Sequence, residues 1–132
     1  MAGLVSPALL ITLTAVAGGL GAALRLVLSS LVTTSGPGAL PRGTWLVNLL
    51  GCGALGLLSP LVETGLICSC WFTILAGGLL GAMTTFSTWM VEIITLAERR
   101  ALVLAAIQLL GQLALGFAAY FIAHFVSAAM IG

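Results

Sequence analysis

One stretch of the sequence, GGLLGAMTTFSTWMVE at residues 77–92, concentrates polar side chains inside a long apolar run. Its three glycines weaken a helix, and it carries the hydroxyls of Thr84, Thr85, Ser87 and Thr88. Within a membrane, nonhelical backbone is tolerated only inside protein or beside a water-filled cavity. Hydroxyl groups can satisfy freed backbone groups, and carbonyls at a break can coordinate a cation. The stretch therefore predicts a discontinuous helix beside an ion site.

Three carboxamides lie in the other apolar runs and need partners there. Asn48 shares a helical face with Thr44, four residues earlier. Its amide can serve a helix–helix hydrogen bond, or it can donate an N–H group to a permeating anion. Gln108 and Gln112 recur four residues apart, so they either bond neighbouring helices or face a polar path.

One cation and two aromatic side chains complete the candidate set. Arg25 lies late in the first apolar run, where it either snorkels to the interface or serves an anion in a vestibule. Phe86 and Trp89 are three residues apart, a spacing typical of simple packing. Aromatic ring edges are electropositive, so the same pair could also touch a small anion without holding it tightly.

The composition places these residues in a membrane. Of 132 residues, 61% are hydrophobic and 5% are charged, whereas about 25% are charged in a typical soluble domain. A net charge of +1 gives no indication of nucleic-acid binding. We find no nucleophile–base spacing, phosphate loop or side-chain metal motif, so the sequence does not predict an enzyme. Three cysteines, Cys52, Cys68 and Cys70, are interpreted as small packing residues and not as a disulfide framework.

Four apolar runs are each long enough to cross a bilayer, which takes roughly 20 helical residues. They cover about residues 7–32, 44–61, 65–97 and 101–131, and they make one all-α, multi-pass membrane domain over residues 1–132. A loop, TTSGPGALPRG, separates the first two. The third run would be roughly 50 Å long as one straight helix, which exceeds the hydrocarbon core and again favours a break.

These motifs resemble the Fluc (CrcB-type) fluoride channels of the cell membrane. The resemblance rests on GGLGAALR in the first span, GTWLVN in the second and GAMTTFSTWMVE in the third. It implies passive export of toxic cytoplasmic fluoride by a dual-topology dimer of two antiparallel subunits. It also implies a structural sodium ion at the dimer interface, bound by the backbone carbonyls of Gly81 and Thr84.

The same resemblance assigns a fluoride pathway and a vestibule. Asn48 and Phe86 match pore-facing positions of the family, and the vestibule residue is Arg25. The remaining pathway candidates are polar or aromatic side chains of the second, third and fourth spans: Thr44, Ser87, Thr88, Trp89, Gln108 and Gln112. The sequence departs from the family at Trp89, where phenylalanine is usual, and at Gln112, where a small hydroxyl is usual.

Charge placement bears on the partner. Arg42, Arg99 and Arg100 fall on one side of a four-span chain, whereas the other side carries Glu63 and no Lys or Arg. By the positive-inside rule, both termini lie outside. The subunits of a dual-topology homodimer need almost no difference in Lys and Arg content between the two sides. A heterodimer with a paralogous subunit is therefore the alternative.

Two other functions compete with the channel. A small four-span proton-coupled exporter, similar to the small multidrug resistance transporters, would need an acidic residue in the first span, which has none. A non-conducting scaffold or degenerate partner subunit is the third interpretation, and it rests on Trp89 and the two glutamines.

Overall fold

Four helical spans make up most of the described part of the chain, as the sequence predicts. The computed structural model describes residues 6–32 and 41–132, and helix is the only regular secondary structure in these ranges. The predicted loop TTSGPGALPRG falls largely at residues 33–40, outside the described residues. Four helices are long and apolar enough to cross a membrane, and we call them the first to fourth spans: Pro7–Leu31, Arg42–Glu63, Ser69–Glu98 and Leu102–Ile131.

The bounds of the spans differ from the predicted ones in two places. The second span begins at Arg42 and continues through Pro60 to Glu63, although the Ser59–Pro60 pair indicates an earlier end. The third span begins at Ser69, four residues after the predicted start at Gly65. Gly65 has a positive φ of 74°, which belongs to the turn between the two spans.

Two spans contain departures from regular α-helix. The third span consists of Ser69–Phe72, a π-helical segment at Thr73–Leu80 and a short turn at Gly81–Met83, and it then bends before Ser87–Glu98. The fourth span starts as Leu102–Ala106, widens into a π-helical turn at Ile107–Gly111 and continues as Gln112–Ile131. Such wide turns rotate the following residues about the helix axis.

Small residues set the packing between the spans. The second span packs mainly along the fourth, and the first packs along the first half of the third. A Cβ at Gly56 would collide with the carbonyl of Tyr120, and one at Gly21 would collide with that of Leu79. Glycine at these positions lets the backbones approach closely, as is common in membrane bundles.

Large apolar side chains cover the outside of the bundle. Leu26, Val103 and Met130 are 70%, 74% and 82% exposed. In water such a surface would be very unfavourable, whereas acyl chains solvate it. This surface and the four spans together define a multi-pass membrane protein.

The prediction for two of the cysteines was wrong. Cys68 and Cys70 form a disulfide at the start of the third span, and Cys52 is free and half-buried. Because the third span starts at Ser69, the pair lies in its first turn, at the bundle end, and not deep in an apolar run. Cysteines at the end of a span are not needed to fill the interior of the bundle, and these two are bonded to each other.

Candidate ion-binding site

The bend in the third span is the centre of the site. Helical structure stops at Met83, Thr84 is extended with ψ of 160°, and helix resumes at Ser87. The Asn48 side chain of the second span bonds both sides of the Thr85 peptide. Its Oδ1 accepts from Thr85 N at 2.8 Å, and its Nδ2 donates to Thr85 O at 3.0 Å. Asn48 therefore substitutes for the backbone partners that Thr85 lacks at the bend.

A second side chain caps the helix that follows. Thr88 N donates to Thr85 Oγ1 at 3.3 Å, and Thr85 Oγ1 donates to Thr88 Oγ1 at 3.1 Å. A hydroxyl accepting the first free N–H groups is the usual way to begin a helix. The sequence TTFST thus supplies its own cap.

These side-chain bonds redirect two backbone donors. In an α-helix, N–H of residue i bonds the carbonyl of residue i−4, so Thr85 N would bond Gly81 O and Thr88 N would bond Thr84 O. Thr85 N bonds Asn48 and Thr88 N bonds Thr85 Oγ1 instead. The carbonyls of Gly81 and Thr84 therefore lose their α-helical donors.

A buried polar cluster ties the second, third and fourth spans together; we call it the Gln108 cluster. The Glu92 carboxylate accepts from Thr44 Oγ1 through one oxygen and from Gln108 Nε2, at 2.8 Å, through the other. Gln108 Oε1 accepts from the indole N–H of Trp45, and its backbone carbonyl accepts from Trp89 Nε1 at 2.9 Å. The indole N–H groups of Trp45 and Trp89 therefore both have acceptors within the protein.

Gln108 is completely buried in this cluster, with 0% of its surface exposed. Trp45 lies against Gly111, where a Cβ would come within 2.8 Å of the indole ring. The π-helical turn at Ile107–Gly111 carries both Gln108 and Gly111. The wide turn thus presents the carboxamide and the gap that the indole occupies.

Two cavities flank the bend. The first, which we call the bend cavity, has a volume of about 600 Å³ and lies between the second, third and fourth spans. Its polar wall includes Asn48, Thr84, Thr85 and Gln112, and aromatic rings make up much of the remainder: Phe86, Trp89, Phe117, Tyr120 and Phe121.

The second cavity, which we call the arginine cavity, has a volume of about 370 Å³. Arg25 lines it together with Thr44, Thr85, Ser87 and Thr88. Thr85 lines both cavities and is buried, so the two cavities lie on either side of it at the bend.

The structure brings nearly all of the predicted site residues to these two cavities. The bend cavity has six of them on its wall: Asn48, Gly81, Thr84, Phe86, Trp89 and Gln112. The arginine cavity has four: Arg25, Thr44, Ser87 and Thr88. Gln108 lines neither cavity, because its carboxamide is enclosed in the Gln108 cluster.

Sequence reasoning missed Trp45, and it considered only the hydroxyl of Thr85. A signal for Trp45 existed, since an indole N–H in an apolar span needs an acceptor and the glutamines of the fourth span offer one. Thr85 acts mainly through its backbone at the bend, and side-chain type alone does not indicate such a role.

The fold and the site define a four-span membrane protein with two cavities beside a bent helix. A family model described as "CrcB-like protein, Camphor Resistance (CrcB)" matches residues 12–124. Fluoride-specific ion channel FluC 2 of Nocardia farcinica is 42% identical over 109 residues, which cover 82% of this chain and 74% of that protein.

Two further relatives show the same likeness over most of their length. Fluoride-specific ion channel FluC of Nitratidesulfovibrio vulgaris is 38% identical over 82% of this chain and 88% of its own. The FluC channel of Nitrosococcus oceani is 38% identical over 86% of this chain and 91% of its own. The chain therefore belongs to the CrcB family of fluoride-specific ion channels.

Proposed function

We propose that this chain is a subunit of a fluoride-selective channel that exports cytoplasmic fluoride by passive permeation. The observation that carries the proposal is the pair of cavities on either side of Thr85, at a bend whose backbone Asn48 hydrogen-bonds. A small, strongly hydrated anion needs hydrogen-bond donors that replace its water, and binding must stay weak enough for release.

The two cavities offer donors of different strength along the proposed route. The arginine cavity presents a guanidinium at Arg25 and the hydroxyls of Ser87 and Thr88, which suits a vestibule that collects anions. Among the described residues, none with a charged side chain lines the bend cavity. Asn48 and Gln112 offer neutral N–H groups there. The route thus runs from an attractive entrance to a neutral interior that does not trap the ion.

The remaining pathway candidates fall into supporting and lining roles. Thr44 reaches the arginine cavity, but its hydroxyl hydrogen is donated to Glu92. Gln108 holds the other oxygen of Glu92 and so fixes this wall of the route. Trp89 contributes its ring to the bend cavity and packs edge-to-face with Phe86 at 5.7 Å.

A structural sodium ion fits the carbonyls of Gly81 and Thr84. Both lose their helical donors at the bend, and both residues line the bend cavity. Hard cations prefer oxygen ligands, and carbonyls of unwound helix commonly supply them in membrane proteins. The ion would fix the bend electrostatically, and a second subunit would supply the same two oxygens.

An antiparallel dimer would cover the open side of the site. Phe86 is 68% exposed although it adjoins the bend, which is the position expected of a residue that reaches a second subunit. The partner is either a second copy or a paralogous subunit. The arginine asymmetry favours the paralogue, since it predicts one orientation.

The disulfide gives independent support for that orientation. If each span crosses once, Cys68 and Cys70 lie at the end opposite Arg99 and Arg100, which is the outside by the positive-inside rule. Disulfides persist in oxidising, extracytoplasmic environments. Charge and redox chemistry therefore agree on the orientation of this chain.

The proposed function predicts fluoride-selective flux. Liposomes that carry the protein, with its partner subunit where one is needed, are expected to release fluoride, and chloride-loaded liposomes should not release chloride. Phe86→Ile should reduce the fluoride flux, because it removes the electropositive ring edge from the bend cavity.

Phe125→Ile is a matched control, since Phe125 is 67% exposed and lines neither cavity. A preparation that releases no fluoride, alone or with the partner, would refute the channel proposal. Equal flux for Phe86→Ile and Phe125→Ile would remove Phe86 from the pathway.

The orientation proposal predicts one-sided labelling of the cysteines. In a Cys52→Ala background, intact cells treated with an impermeant reductant should expose Cys68 and Cys70 almost entirely to an impermeant maleimide. Permeabilising the cells should add little further label. A second equal portion of label after permeabilisation, or a stable antiparallel homodimer that conducts fluoride, would contradict the single-orientation heterodimer.

A further inference from the structure

We propose that the turn between the third and fourth spans binds an anionic phospholipid, through the guanidinium groups of Arg99 and Arg100 and the apolar surface beside them. This turn has no part in the proposed fluoride pathway. The helix Ser87–Glu98 has 12 residues, so the turn lies roughly 18 Å along the third span from the bend. The proposal concerns the membrane around the protein and does not depend on the channel function.

The first observation is an arginine in a backbone conformation that favours glycine. Arg100 N donates to Ala97 O at 2.9 Å and Ala101 N donates to Leu96 O at 2.9 Å, which are the two bonds of a Schellman motif. The residue in the place of Arg100 is usually glycine in that motif. Its φ is 58°, and no other non-glycine residue in the described ranges has a positive φ. Glycine would adopt this conformation more easily, so the fold of the turn does not explain the arginine side chain.

The second observation is a pair of guanidinium groups without a partner. Arg99 and Arg100 are exposed, and within residues 6–32 and 41–132 neither guanidinium has an ion-pair or hydrogen-bond partner. The adjacent carboxylate of Glu98 is exposed as well and forms no ion pair with them. Two neighbouring guanidinium groups repel each other, and a phosphate that accepts from both relieves that repulsion. The planar fork of N–H donors on arginine matches the oxygens of a phosphate.

The surface beside the turn favours a lipid over a soluble phosphate. Ile94, near the end of the third span, is 56% exposed, and Leu102 and Val103, at the start of the fourth, are 66% and 74% exposed. All three lie on the helices that enter the bilayer from this turn. An acyl chain can pack on them while its phosphate reaches the two arginines at the membrane surface. The positive charge of the pair favours a headgroup with a net negative charge over a zwitterionic one.

Lipid titration of the purified full chain tests the site. In micelles of a neutral detergent, phosphatidylglycerol should raise the melting temperature more than equal amounts of phosphatidylcholine or inorganic phosphate. Arg100→Gln should weaken the apparent affinity for phosphatidylglycerol about fivefold, and the double variant with Arg99→Gln about 25-fold, because basic residues near an anionic surface each contribute a similar amount. Arg42→Gln is the matched control, since it removes one exposed charge from the same end of the bundle and should change this affinity little.

Arg100→Gly separates lipid binding from the fold of the turn. Glycine suits the positive φ, so without lipid this variant should melt at or above the wild-type temperature. Its apparent affinity for phosphatidylglycerol should nevertheless fall about fivefold. A lower melting temperature without lipid would show that Arg100 stabilises the turn itself, and it would overturn the proposal. So would equal protection by phosphatidylcholine or inorganic phosphate, an unchanged affinity in the Arg99 and Arg100 variants, or an equal loss in Arg42→Gln, which would indicate the total charge of that end.

Discussion

Gln108→Met is expected to destabilise the protein by about 3 kcal/mol, although the side-chain volume hardly changes. The substitution leaves the Glu92 oxygen that accepts from Gln108 Nε2 and the indole N–H of Trp45 without their partners. Each buried polar group that loses its partner costs about 1–3 kcal/mol, and a carboxylate lies at the upper end. Gln108 itself is 0% exposed, so water cannot replace the lost contacts without opening the bundle.

The measurement is unfolding in detergent micelles, followed by heat or denaturant. Gln112→Met provides an internal control one turn away, because the same chemical change there is expected to leave stability unchanged or higher. Trp45→Phe should reproduce part of the Gln108→Met effect, since it removes one bond of the Gln108 cluster. Equal stability of the Gln108 and Gln112 variants would show that the Gln108 cluster does not hold the spans together.

The different environments of these two glutamines mark a limit of sequence reasoning. A spacing of four residues predicts that Gln108 and Gln112 share one helical face. The π-helical turn at Ile107–Gly111 changes that relation, so Gln108 joins a closed cluster and Gln112 lines a cavity. The residue types in this segment do not predict a π-helical turn, because the turn depends on Trp45 of another span, which packs against Gly111.

Other features follow more directly from the residues. Length and hydropathy predict the four spans, since a helix must be apolar over roughly 20 residues to cross a bilayer. The polar, glycine-rich stretch of the third span predicts an interruption of the helix, and the span bends there between Met83 and Ser87. The disulfide could not be predicted, because it depends on where the third span begins within an apolar sequence.

Trp89 stands where the family usually has phenylalanine, and its indole N–H is a donor that phenylalanine lacks. That N–H bonds the carbonyl of Gln108. The ring is 7% exposed, whereas Phe86 on the same face is 68% exposed. The substitution therefore connects the third span to the fourth and adds no free donor to the bend cavity.

Asn48→Leu is expected to reduce fluoride flux at least about 100-fold. It removes both bonds to the Thr85 peptide and the one remaining N–H that faces the bend cavity. Two hydrogen bonds of ordinary strength correspond to about two decades in an equilibrium constant. Without them, Thr85 N is free to return to Gly81 O, which would straighten the bend and change the walls of both cavities.

Asn48→Asp separates the bend from the pathway. An ionised carboxylate still accepts from Thr85 N, but it cannot donate to Thr85 O and it repels an anion. We therefore expect this variant to keep the bond to Thr85 N, to be less stable than the wild type because two acceptors then face each other, and to conduct no better than Asn48→Leu. Leu50→Met, at a 46% exposed position of the same span, controls for general effects on insertion.

Sodium protection gives the two Asn48 variants a second readout. If the bend presents the carbonyls of Gly81 and Thr84, sodium should raise the melting temperature of the wild type and of Asn48→Asp, and it should have little effect on Asn48→Leu. Full flux in Asn48→Leu would show that Asn48 is a packing residue. Sodium protection that survives in Asn48→Leu would show that the bend forms without its side chain, and the cause of the bend would then lie in the Thr85–Thr88 cap.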